Sequence, residues 1–528
     1  MPLKVLNLTG ADFGEIPQSL QNMRVKMSTQ SAPFCFTVGW TGTNLKLCWI
    51  GQIQRRTNNT TAIDLLPDEL LLNIFDHIRH AKYSSKFRHT IPTTHWQVLV
   101  HVCCRWRQIV FASPRRLDLQ LLCTNGIPVK KYLSCWPAFP IIILYDFTEL
   151  TTPNVEYDVV TALVLEHRSR ISQINLAISS SLWSKMSTVM REPFPMLTSL
   201  SIYADDGNLP SIPSGFFGGS APHLREILFH GILTPALPAL LSYKSNLVEL
   251  DLFDWDTPRT DFISPAALAA CLAVLPKLKI LRIALPSWTS HLGHRQIDLP
   301  PKTRVVLPAL TSFSLQGEHT YLEDFVAQIY TPRLDLIDIV FPDLPDSRLP
   351  QLSDYINRSC LRPPGFEDAK IYFDDCCSVV IELNSGLHQI SFSIHILSCQ
   401  GSNNQVWCMA HVLHQISGIL SNVDYLEINE ERWQTAEVED EDMDMWLELL
   451  RPFTAVGTLH ICEEFAKNVV YALEGKPAET DNQVLPALNQ LLLFLEDEST
   501  PSVDHLFTAL RGRDRPVTVT IQRSQFKM

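Results

Sequence analysis

A short apolar motif recurs along most of this chain and constrains its fold more than any other feature. Segments such as FPMLTSLSI, SNLVELDLF and LPALTSFSL share the order apolar-x-x-apolar-x-apolar. Eleven such segments follow one another from about residue 170, at intervals of 23 to 36 residues, with one interval of 53. Repeats of this length are typical of architectures that add one supersecondary unit at a time. The first apolar residues of the eleven units are Ile171, Leu197, Leu224, Leu247, Leu278, Leu310, Leu334, Leu387, Val423, Val456 and Leu488.

Proline strengthens the repeat assignment. Six of the eleven units have Pro two positions ahead of the first apolar residue, although Pro makes up only 35 of 528 residues and chance predicts fewer than one. Apolar helical stretches such as SPAALAACLAVL separate the units, so the sequence predicts an α/β fold, an irregular leucine-rich-repeat solenoid of strand–helix units. The interval of 53 residues is predicted to hide one degenerate unit near AKIYFDD. The alternative is an ordinary α/β domain with strand-like runs.

A second constraint is the apolar helix predicted within Ile63–Ile78. Pro67 suits the first helical position, and the two acids after it favour the helix dipole. At about 100° per residue, the apolar side chains cover about 200°, twice the stripe of about 100° that one core face needs. The helix is therefore either buried deep in its own domain or left half free for a partner. These side chains are Leu70, Leu71, Leu72, Ile74, Phe75 and Ile78.

A second amphipathic stretch, HWQVLVHVCCRWRQIVFAS, follows a polar interval at His80–Thr94. Its apolar residues recur at three- and four-residue steps, which predicts a helix that Pro114 ends. RRLDLQLLC is interpreted as a third short helix. Together these segments form an all-α module of about 60 residues, a size that is marginal for a domain on its own.

Composition limits the classes of function. The chain has 528 residues, 46% of them hydrophobic, and a net charge of −13, which argues against nucleic acid as the main partner. Residues 61–135 nevertheless hold ten Lys/Arg against five acids. This basic charge either steers an acidic partner or only keeps a small domain soluble. The 13 cysteines are odd in number and scattered along the chain, which favours free thiols in a cytoplasmic or nuclear protein. The chain has no apolar run of about 18 residues, so no membrane span is expected.

The helical module resembles an F-box. LPDELLLNIF is followed by VCCRWRQIV and then ASPRRL, in the order that F-box domains typically show. The later part, especially WLELLRPFTAVGTLHI and RDRPVTV, is similar to a large group of mushroom-type (basidiomycete) fungal F-box proteins with degenerate leucine-rich repeats. The resemblance covers residues 61–528 and departs from the family in the long interval at His80–Thr94. It therefore predicts a small all-α F-box module followed by the irregular solenoid.

The resemblance implies a role for the apolar helix. In F-box proteins this helix docks on the Skp-family adaptor of SCF-type cullin–RING ubiquitin ligases, and the repeats bind the substrate. The chain would then be a substrate-recognition subunit, joined to a cullin through the adaptor, without catalytic residues or cofactors of its own. A purely structural helix in a self-contained domain is the alternative. The residues that the resemblance assigns to the adaptor are Leu66, Pro67, Leu70, Leu71, Ile74, Phe75, Val102, Cys103 and Trp106.

In a leucine-rich repeat, the residues between the inward apolar positions face outward on the concave side, where an unknown protein substrate would bind. Their acidic character suggests a basic recognition signal in the substrate, whereas the alternative is a set of plain solvated strand faces. Serines at positions 199, 201 and 314 belong to the same surface. The residues assigned to substrate binding are Tyr203, Glu226, Glu249, Asp251, Phe253, Arg282 and Asp338.

The sequence offers no recognisable catalytic or metal-binding motif. HLGH and HVLH lack a third ligand in pattern, GFFGGS lacks the lysine of a P-loop, and no nucleophile stands beside a base. The expectation is a protein that is not an enzyme and binds neither nucleic acid nor membrane. A leucine-rich-repeat interaction scaffold without a ubiquitin role, or an enzyme with an unrecognised site, are the rival hypotheses.

The predicted domain boundaries follow from these segments. Residues 1–60 form an N-terminal extension, for which disorder is one interpretation and short strands in FCFTVGW and LKLCWIG another. Residues 61–125 form the F-box, 126–165 a linker and first cap, 166–500 the solenoid, and 501–528 a C-terminal cap.

Overall fold

The computed structural model describes part of the chain, which falls into two compact units that are treated separately below. The first comprises Met1–Tyr145 with Arg170–Ser172, and the second Asp146–Ser169 with Gln173–Met528. The described residues are 6–9, 35–41, 44–50, 63, 65–80, 95–124, 129–146, 153–204, 212, 215–231, 237–241, 246–253, 263–285, 303–342, 349–360, 365–374, 378–386, 390–397, 399, 402–430, 443–474, 484–495, 510 and 516–523.

The first unit combines a small antiparallel sheet with helices and a parallel strand pair. The sheet has the order β1-β3-β2, and two of its strands lie in FCFTVGW and LKLCWIG. β4 and β5 pair in parallel. The elements are β1 (Leu6–Thr9), β2 (Cys35–Thr41), β3 (Asn44–Ile50), α1 (Asp68–His80), α2 (His95–Val100), α3 (Cys104–Ala112), β4 (Leu121–Thr124), α4 (Val129–Cys135) and β5 (Ile141–Asp146).

Two local predictions in this unit are wrong. The single helix expected after Trp96 is two helices, because α2 ends at Val100 and Cys103 serves as the N-cap of α3. The third helix expected in RRLDLQLLC is a turn followed by strand β4, and Asp118 within it has a left-handed backbone with φ of 48°. A left-handed residue cannot continue a right-handed helix. The interval from 81 to 94 lies outside the described residues.

Aromatic rings form the core of the first unit around Trp96. Its ring centroid lies 5.0 Å from that of Trp136 and 5.5 Å from that of Phe139. Its indole nitrogen donates a hydrogen bond of 3.1 Å to the carbonyl oxygen of Gln120. The guanidinium of Arg170 donates to the carbonyl oxygen of Phe139 at 2.9 Å. Residues well beyond α3 therefore complete this core.

The second unit repeats a strand and a helix. Its strands are β6 (Ile171–Ala177), β7 (Ser199–Tyr203), β8 (Glu226–His230), β9 (Glu249–Phe253), β10 (Ile280–Ala284), β11 (Val305–Val306), β12 (Ser312–Gln316), β13 (Ile329–Tyr330), β14 (Leu336–Phe341), β15 (Asp368–Asp374), β16 (Ser378–Asn384), β17 (Ser391–Ile396), β18 (Tyr425–Glu430), β19 (Thr458–Cys462), β20 (Gln490–Leu495) and β21 (Thr518–Arg523). Its helices are α5 (Pro153–His167), α6 (Ser180–Val189), α7 (Leu237–Leu241), α8 (Pro265–Leu272), α9 (His319–Gln328), α10 (Pro350–Cys360), α11 (Ser402–Gln415), α12 (Ser417–Leu420), α13 (Met443–Leu450) and α14 (Glu463–Glu474), with a 3₁₀ turn at Phe216–Gly219.

Most strands of this unit lie in one sheet and run parallel in sequence order. From β6 the order is β6-β7-β8-β9-β10-β12-β14-β17-β16-β15-β18-β19-β20-β21, while β11 and β13 form a separate pair. The second and third apolar positions of each motif form two buried ladders; Leu200, Leu250 and Phe313, for example, are 0% exposed. Alternation along each strand therefore places the other residues on the opposite face, which carries most of the polar and charged side chains together with a few apolar ones such as Leu336. The repeated α/β architecture expected from the apolar motif is confirmed.

The prolines of the motif occupy one recurrent turn. The N–H of Leu197, Leu224, Leu278, Leu310 and Leu488 donates to the carbonyl oxygen three residues earlier, and Pro is the second residue of each of these turns. Proline suits that position because its ring fixes φ near the value that the turn requires. The strand then begins two residues after the leucine, as in β7 and β8.

The interval of 53 residues contains more than the one expected unit. A strand does lie at AKIYFDD, as β15, but β16 and β17 follow it and return toward β14. β16 pairs antiparallel with both β15 and β17, whereas β17 pairs in parallel with β14. The register aligns Phe392 with Ile337, so the motif of this unit was placed two residues too early by the sequence alignment. The repeat array therefore contains a three-stranded insertion.

Candidate partner-binding surfaces

Helix α1 has a buried side and an accessible apolar side. Leu71 and Phe75 are 0% and 1% exposed, whereas Leu70 and Ile74 are 47% and 39% exposed. The ring of Phe75 lies 4.7 Å from that of Trp106 on α3. The wide apolar arc is thus divided between the core of the first unit and solvent.

Two more apolar side chains of this unit are accessible. Leu65, which precedes α1, is 72% exposed, and Val98 on α2 is 46% exposed. Neither was assigned to a site from the sequence, because isolated apolar residues outside the family motif give no signal of their own.

The remaining motif residues hold α1 and α3 together. Arg105 donates from Nε to Oδ1 of Asp68 at 3.0 Å and from Nη2 to the carbonyl oxygen of Leu66. The Sγ of Cys103 accepts the backbone N–H of Trp106 at 3.4 Å, which caps the first turn of α3. These contacts fix the start of α1 against the neighbouring helix.

The predicted adaptor-binding residues therefore divide by accessibility. Pro67, Leu70 and Ile74 are exposed; Leu66, Val102 and Cys103 are partly exposed; and Leu71, Phe75 and Trp106 are buried in the chain itself. Their assignment to an adaptor stays a prediction. The buried members have a structural role, since they determine which residues of α1 face outward.

The residues predicted to bind substrate all lie on the polar face of the sheet in the second unit. Asp251, Arg282 and Asp338 occupy one straight row, with Ser314 between the last two. A flanking row carries Glu226 next to Glu249. The other flanking row carries Tyr203 and Phe253, which the register separates by one strand. Their role in substrate binding stays a prediction.

The first charged network on this face centres on Arg282. One of its guanidinium nitrogens lies 2.6 Å from Oε1 of Glu249 and 2.7 Å from Oδ2 of Asp251. Burial opposes the charge of Arg282, but the hydrogen bonds and the negative charges of its two partners outweigh that effect and raise the pKa of the guanidinium. A single cation is therefore shared by two acids.

The second network centres on Asp338. Its carboxylate accepts hydrogen bonds from Ser314 at 3.0 Å and Ser393 at 2.8 Å, and it lies 3.3 Å from Nε2 of His395. Burial alone would raise the pKa of Asp338, but hydrogen bonds from these neighbours together hold that pKa below its usual value. The carboxylate is therefore kept charged.

The third network belongs to strands that the sequence alignment did not place together. Nζ of Lys370 on β15 lies 3.0 Å from Oε2 of Glu427 on β18, and its pKa is raised, chiefly by that hydrogen bond. Asn429 donates to the same carboxylate at 2.6 Å, and the Tyr425 hydroxyl lies 3.2 Å from Nδ1 of His460. Lys370 and Glu427 escaped prediction because their adjacency depends on the three-stranded insertion.

The polar face of the sheet is acidic. Among the side chains that the structure describes at the outward positions of strands β7 to β19, there are two cations, Arg282 and Lys370, and seven acids. The acids are Glu226, Glu249, Asp251, Asp338, Asp368, Glu382 and Glu427. Such a face favours a positively charged partner segment.

The structure adds two observations on ligands and membranes. Within the described ranges, no three His, Cys, Asp or Glu side chains come together in a group that could hold a metal ion. None of the helices in the part of the chain that the structure covers is long and apolar enough to cross a membrane.

Comparisons with known proteins found a similar solved structure, but no family model and no curated protein matches the chain. Among solved structures, the chain is similar to the leucine-rich repeat-containing protein LegL7 from Legionella pneumophila, with 13% sequence identity and a TM-score of 0.28. That match covers 64% of this chain and 98% of the other. The repeated strand–helix architecture described above rests on the chain's own register.

Proposed function

We propose that this chain is the substrate-recognition subunit of an SCF-type cullin–RING ubiquitin ligase acting in the cytoplasm or nucleus. In this proposal α1 docks on the Skp-family adaptor, and the polar face of the sheet binds a protein substrate. The F-box assignment rests on the sequence motif and its resemblance to the mushroom-type fungal group. The structural observation that carries it is that Leu70 and Ile74 are exposed apolar side chains on a helix whose other side is held in the core by Leu71 and Phe75.

The exposed side chains of α1 suit a hydrophobic groove. Full burial of a Leu or Ile side chain stabilises by about 1.5–3 kcal/mol relative to exposure. Leu70 and Ile74 are already more than half buried, so covering what remains exposed supplies about 2 kcal/mol for the two together. Pro67 and the partly exposed Leu66 extend the same end of the helix. Presentation of an amphipathic helix to a groove is a recurrent mode of recognition.

Preorganisation of α1 supports useful affinity. Its buried side is held by the contact between Phe75 and Trp106, and its first turn by the contact between Arg105 and Asp68. A helix that is already fixed loses little conformational entropy when a partner covers it. The energy of burying Leu70 and Ile74 is therefore available mainly to offset the cost of association.

The proposed contribution of the chain to ubiquitin transfer is proximity. A substrate held on the sheet would lie at high effective concentration near the enzyme that carries ubiquitin. The excess of acids on that face predicts that the bound substrate segment contains Lys and Arg. The carboxylates of Asp338 and Glu427, which hydrogen bonds hold in place, would attract these cations.

The docking proposal is tested by substituting the exposed residues of α1. We expect the double variant Leu70→Glu/Ile74→Glu to lose at least about tenfold in affinity for a recombinant Skp-family adaptor, because two carboxylates would have to be desolvated in the groove. Affinity is measured by co-purification and by calorimetry with the full-length chain.

Val274→Glu provides the matched control, since Val274 is 46% exposed in the second unit. This variant should bind the adaptor as the unsubstituted chain does. Adaptor binding that is absent from the unsubstituted chain, or unchanged in the double variant, would contradict docking through α1. It would favour the alternative, a repeat-based interaction scaffold that uses the polar face of the sheet without a ubiquitin role.

A further inference from the structure

A basic groove lies at the turn end of strands β7 to β10 and borders the acidic face, with which it shares Glu226. It consists of two adjoining cavities of about 450 and 180 Å³ that share His223 and Arg225. We use "basic groove" for both. The lining residues are Met196, Thr198, Pro222, His223, Arg225, Glu226, Asn246, Val248 and Lys277.

The repeat itself brings the basic groups of the groove together. In three consecutive units, the residue immediately before the first apolar position is His223, Asn246 and Lys277 in turn. In the first of these units, Arg225 immediately follows the first apolar residue. Neighbouring strands are about 4.8 Å apart, so equivalent positions of consecutive units form a row. Lys279, exposed at the position equivalent to Arg225, extends this basic row by two strands.

Two polar side chains of the groove are held in place by the protein. Nζ of Lys277 donates to Oδ1 of Asn246 at 2.7 Å, and Nδ2 of Asn246 donates to the carbonyl oxygen of Pro222 at 3.0 Å. These two hydrogen bonds hold the ammonium group of Lys277 at the smaller cavity without neutralising its charge.

The other two basic side chains keep their donors available. Across the described part of the chain, neither His223 nor Arg225 makes a side-chain hydrogen bond or an ion pair, and both are exposed. The guanidinium of Arg225 offers five N–H donors in a planar fork that fits an oxyanion. Glu226 is the one acid among the lining residues.

We propose that the basic groove binds an oxyanion-bearing peptide segment of a partner protein, with Arg225 and Lys277 as its principal cations and Asn246 positioning Lys277. The chain as a whole has a net charge of −13, whereas the lining of the groove holds Arg225 and Lys277 against a single acid, Glu226. The inference rests on the proposed function only in treating the repeats as a recognition surface. It adds a site of opposite charge to the acidic face.

Charges of opposite sign on two surfaces of one repeat array would select partners with matching segments. A segment with the wrong sign at either surface would meet like charges, which is an effective means of rejecting other proteins. Because both surfaces are exposed, screening should weaken the interaction of the groove with its ligand as the salt concentration rises.

The proposal is tested with the full-length chain and two fluorescein-labelled probes, a hexaglutamate peptide and a Gly-spaced peptide with three phosphoserines. Their binding is followed by fluorescence anisotropy. We expect binding that weakens with salt, and affinity at least about tenfold lower in Arg225→Gln/Lys277→Gln, because two charge-assisted contacts are lost. Lys467→Gln on α14 is the matched control and should bind as the unsubstituted chain does.

The two probes distinguish the source of the oxyanion, carboxylate or phosphate. Failure of both probes to bind at millimolar concentration, or equal affinities for the double variant and the Lys467→Gln control, would overturn the proposal. Adaptor binding by Arg225→Gln/Lys277→Gln is measured in parallel. Its retention with loss of probe binding separates the groove from the docking function of α1.

Discussion

The charge state of individual residues on the polar face depends on side chains from neighbouring strands. Asp338 shows this clearly, because its partners Ser314, Ser393 and His395 come from the two strands that flank β14. Each partner stabilises the ionised carboxylate, so the protonated form of Asp338 is disfavoured in the folded state. The consequence is a measurable dependence of stability on pH.

We expect Asp338→Asn to remove a pH-dependent part of the free energy of unfolding. The folded pKa of Asp338 lies below its ordinary value of 3.8, so the unfolded chain binds more protons in that range. The stabilisation is complete above pH 5 and is lost as the pH falls through the lowered pKa.

Urea denaturation between pH 7 and pH 3 checks this expectation. The difference between the unsubstituted chain and Asp338→Asn should be largest at pH 7 and shrink in acid. Glu192→Gln, at an exposed position after α6, should give a small and flat difference. If the difference in free energy of unfolding between the unsubstituted chain and Asp338→Asn grew as the pH fell, the carboxylate would not be held in its charged form.

The residue networks also mark the limit of prediction from sequence. Glu249, Asp251 and Arg282 come from consecutive units, so the repeat alignment alone placed them together. Lys370 and Glu427 are brought together by β15 and β18, which become neighbours only because β16 and β17 turn back toward β14. Sequence spacing contains no signal for that reversal, and the third network was therefore missed.

At the scale of elements, helix starts depend on acceptors that are sometimes distant in sequence. The first turn of α10 has N–H groups without partners inside the helix. Glu323 on α9 accepts two of them, from Gln351 and Leu352, each at 2.8 Å. Burial raises the pKa of Glu323 despite these two hydrogen bonds, so the capping group is a desolvated carboxyl.

We expect Glu323→Ala to lower the free energy of unfolding by about 1 kcal/mol, the usual effect of removing a helix cap. Glu323→Gln should lower it less, because the amide keeps one acceptor and carries no charge to desolvate. Urea denaturation at pH 7 measures both, with Glu192→Ala as an exposed control. Equal losses for Gln and Ala would argue that the negative charge, rather than the acceptor, stabilises α10.

Turns and strands that are determined by neighbouring residues of the motif were predictable from the sequence. Helix boundaries that depend on one capping residue were not. The recurrent turn has its signal in a proline beside a leucine, and the strands begin where the motif places them. The break between α2 and α3 depends on Cys103 acting as a cap, which apolar spacing at three and four residues does not reveal. Strand β4 was taken for a helix because RRLDLQLLC contains too few residues to distinguish the two periods.

At the scale of the whole molecule, the helical module depends on chain well beyond its sequence motif. The F-box sequence motif ends near α3, and residues 61–125 were predicted as one domain. In the first unit, however, Trp96 packs against Trp136 and Phe139, and Arg170 donates to the carbonyl oxygen of Phe139. The backbone N–H of Ile141 also donates to the carbonyl oxygen of Arg170 at 2.8 Å.

These contacts predict different behaviour for two fragments. A fragment of residues 61–177 should unfold cooperatively in urea and show tryptophan emission shifted to shorter wavelength, because the rings around Trp96 are enclosed. A fragment of residues 61–125 lacks Trp136 and Phe139, so its Trp96 should be solvated and its unfolding gradual.

Loss of a large aromatic partner from a core typically costs about 3–5 kcal/mol, a large part of the stability of a module this small. Cooperative unfolding of the shorter fragment, with the same emission maximum as the longer one, would instead establish the motif alone as a folding unit. The accessible side of α1 would then be carried by a self-sufficient domain.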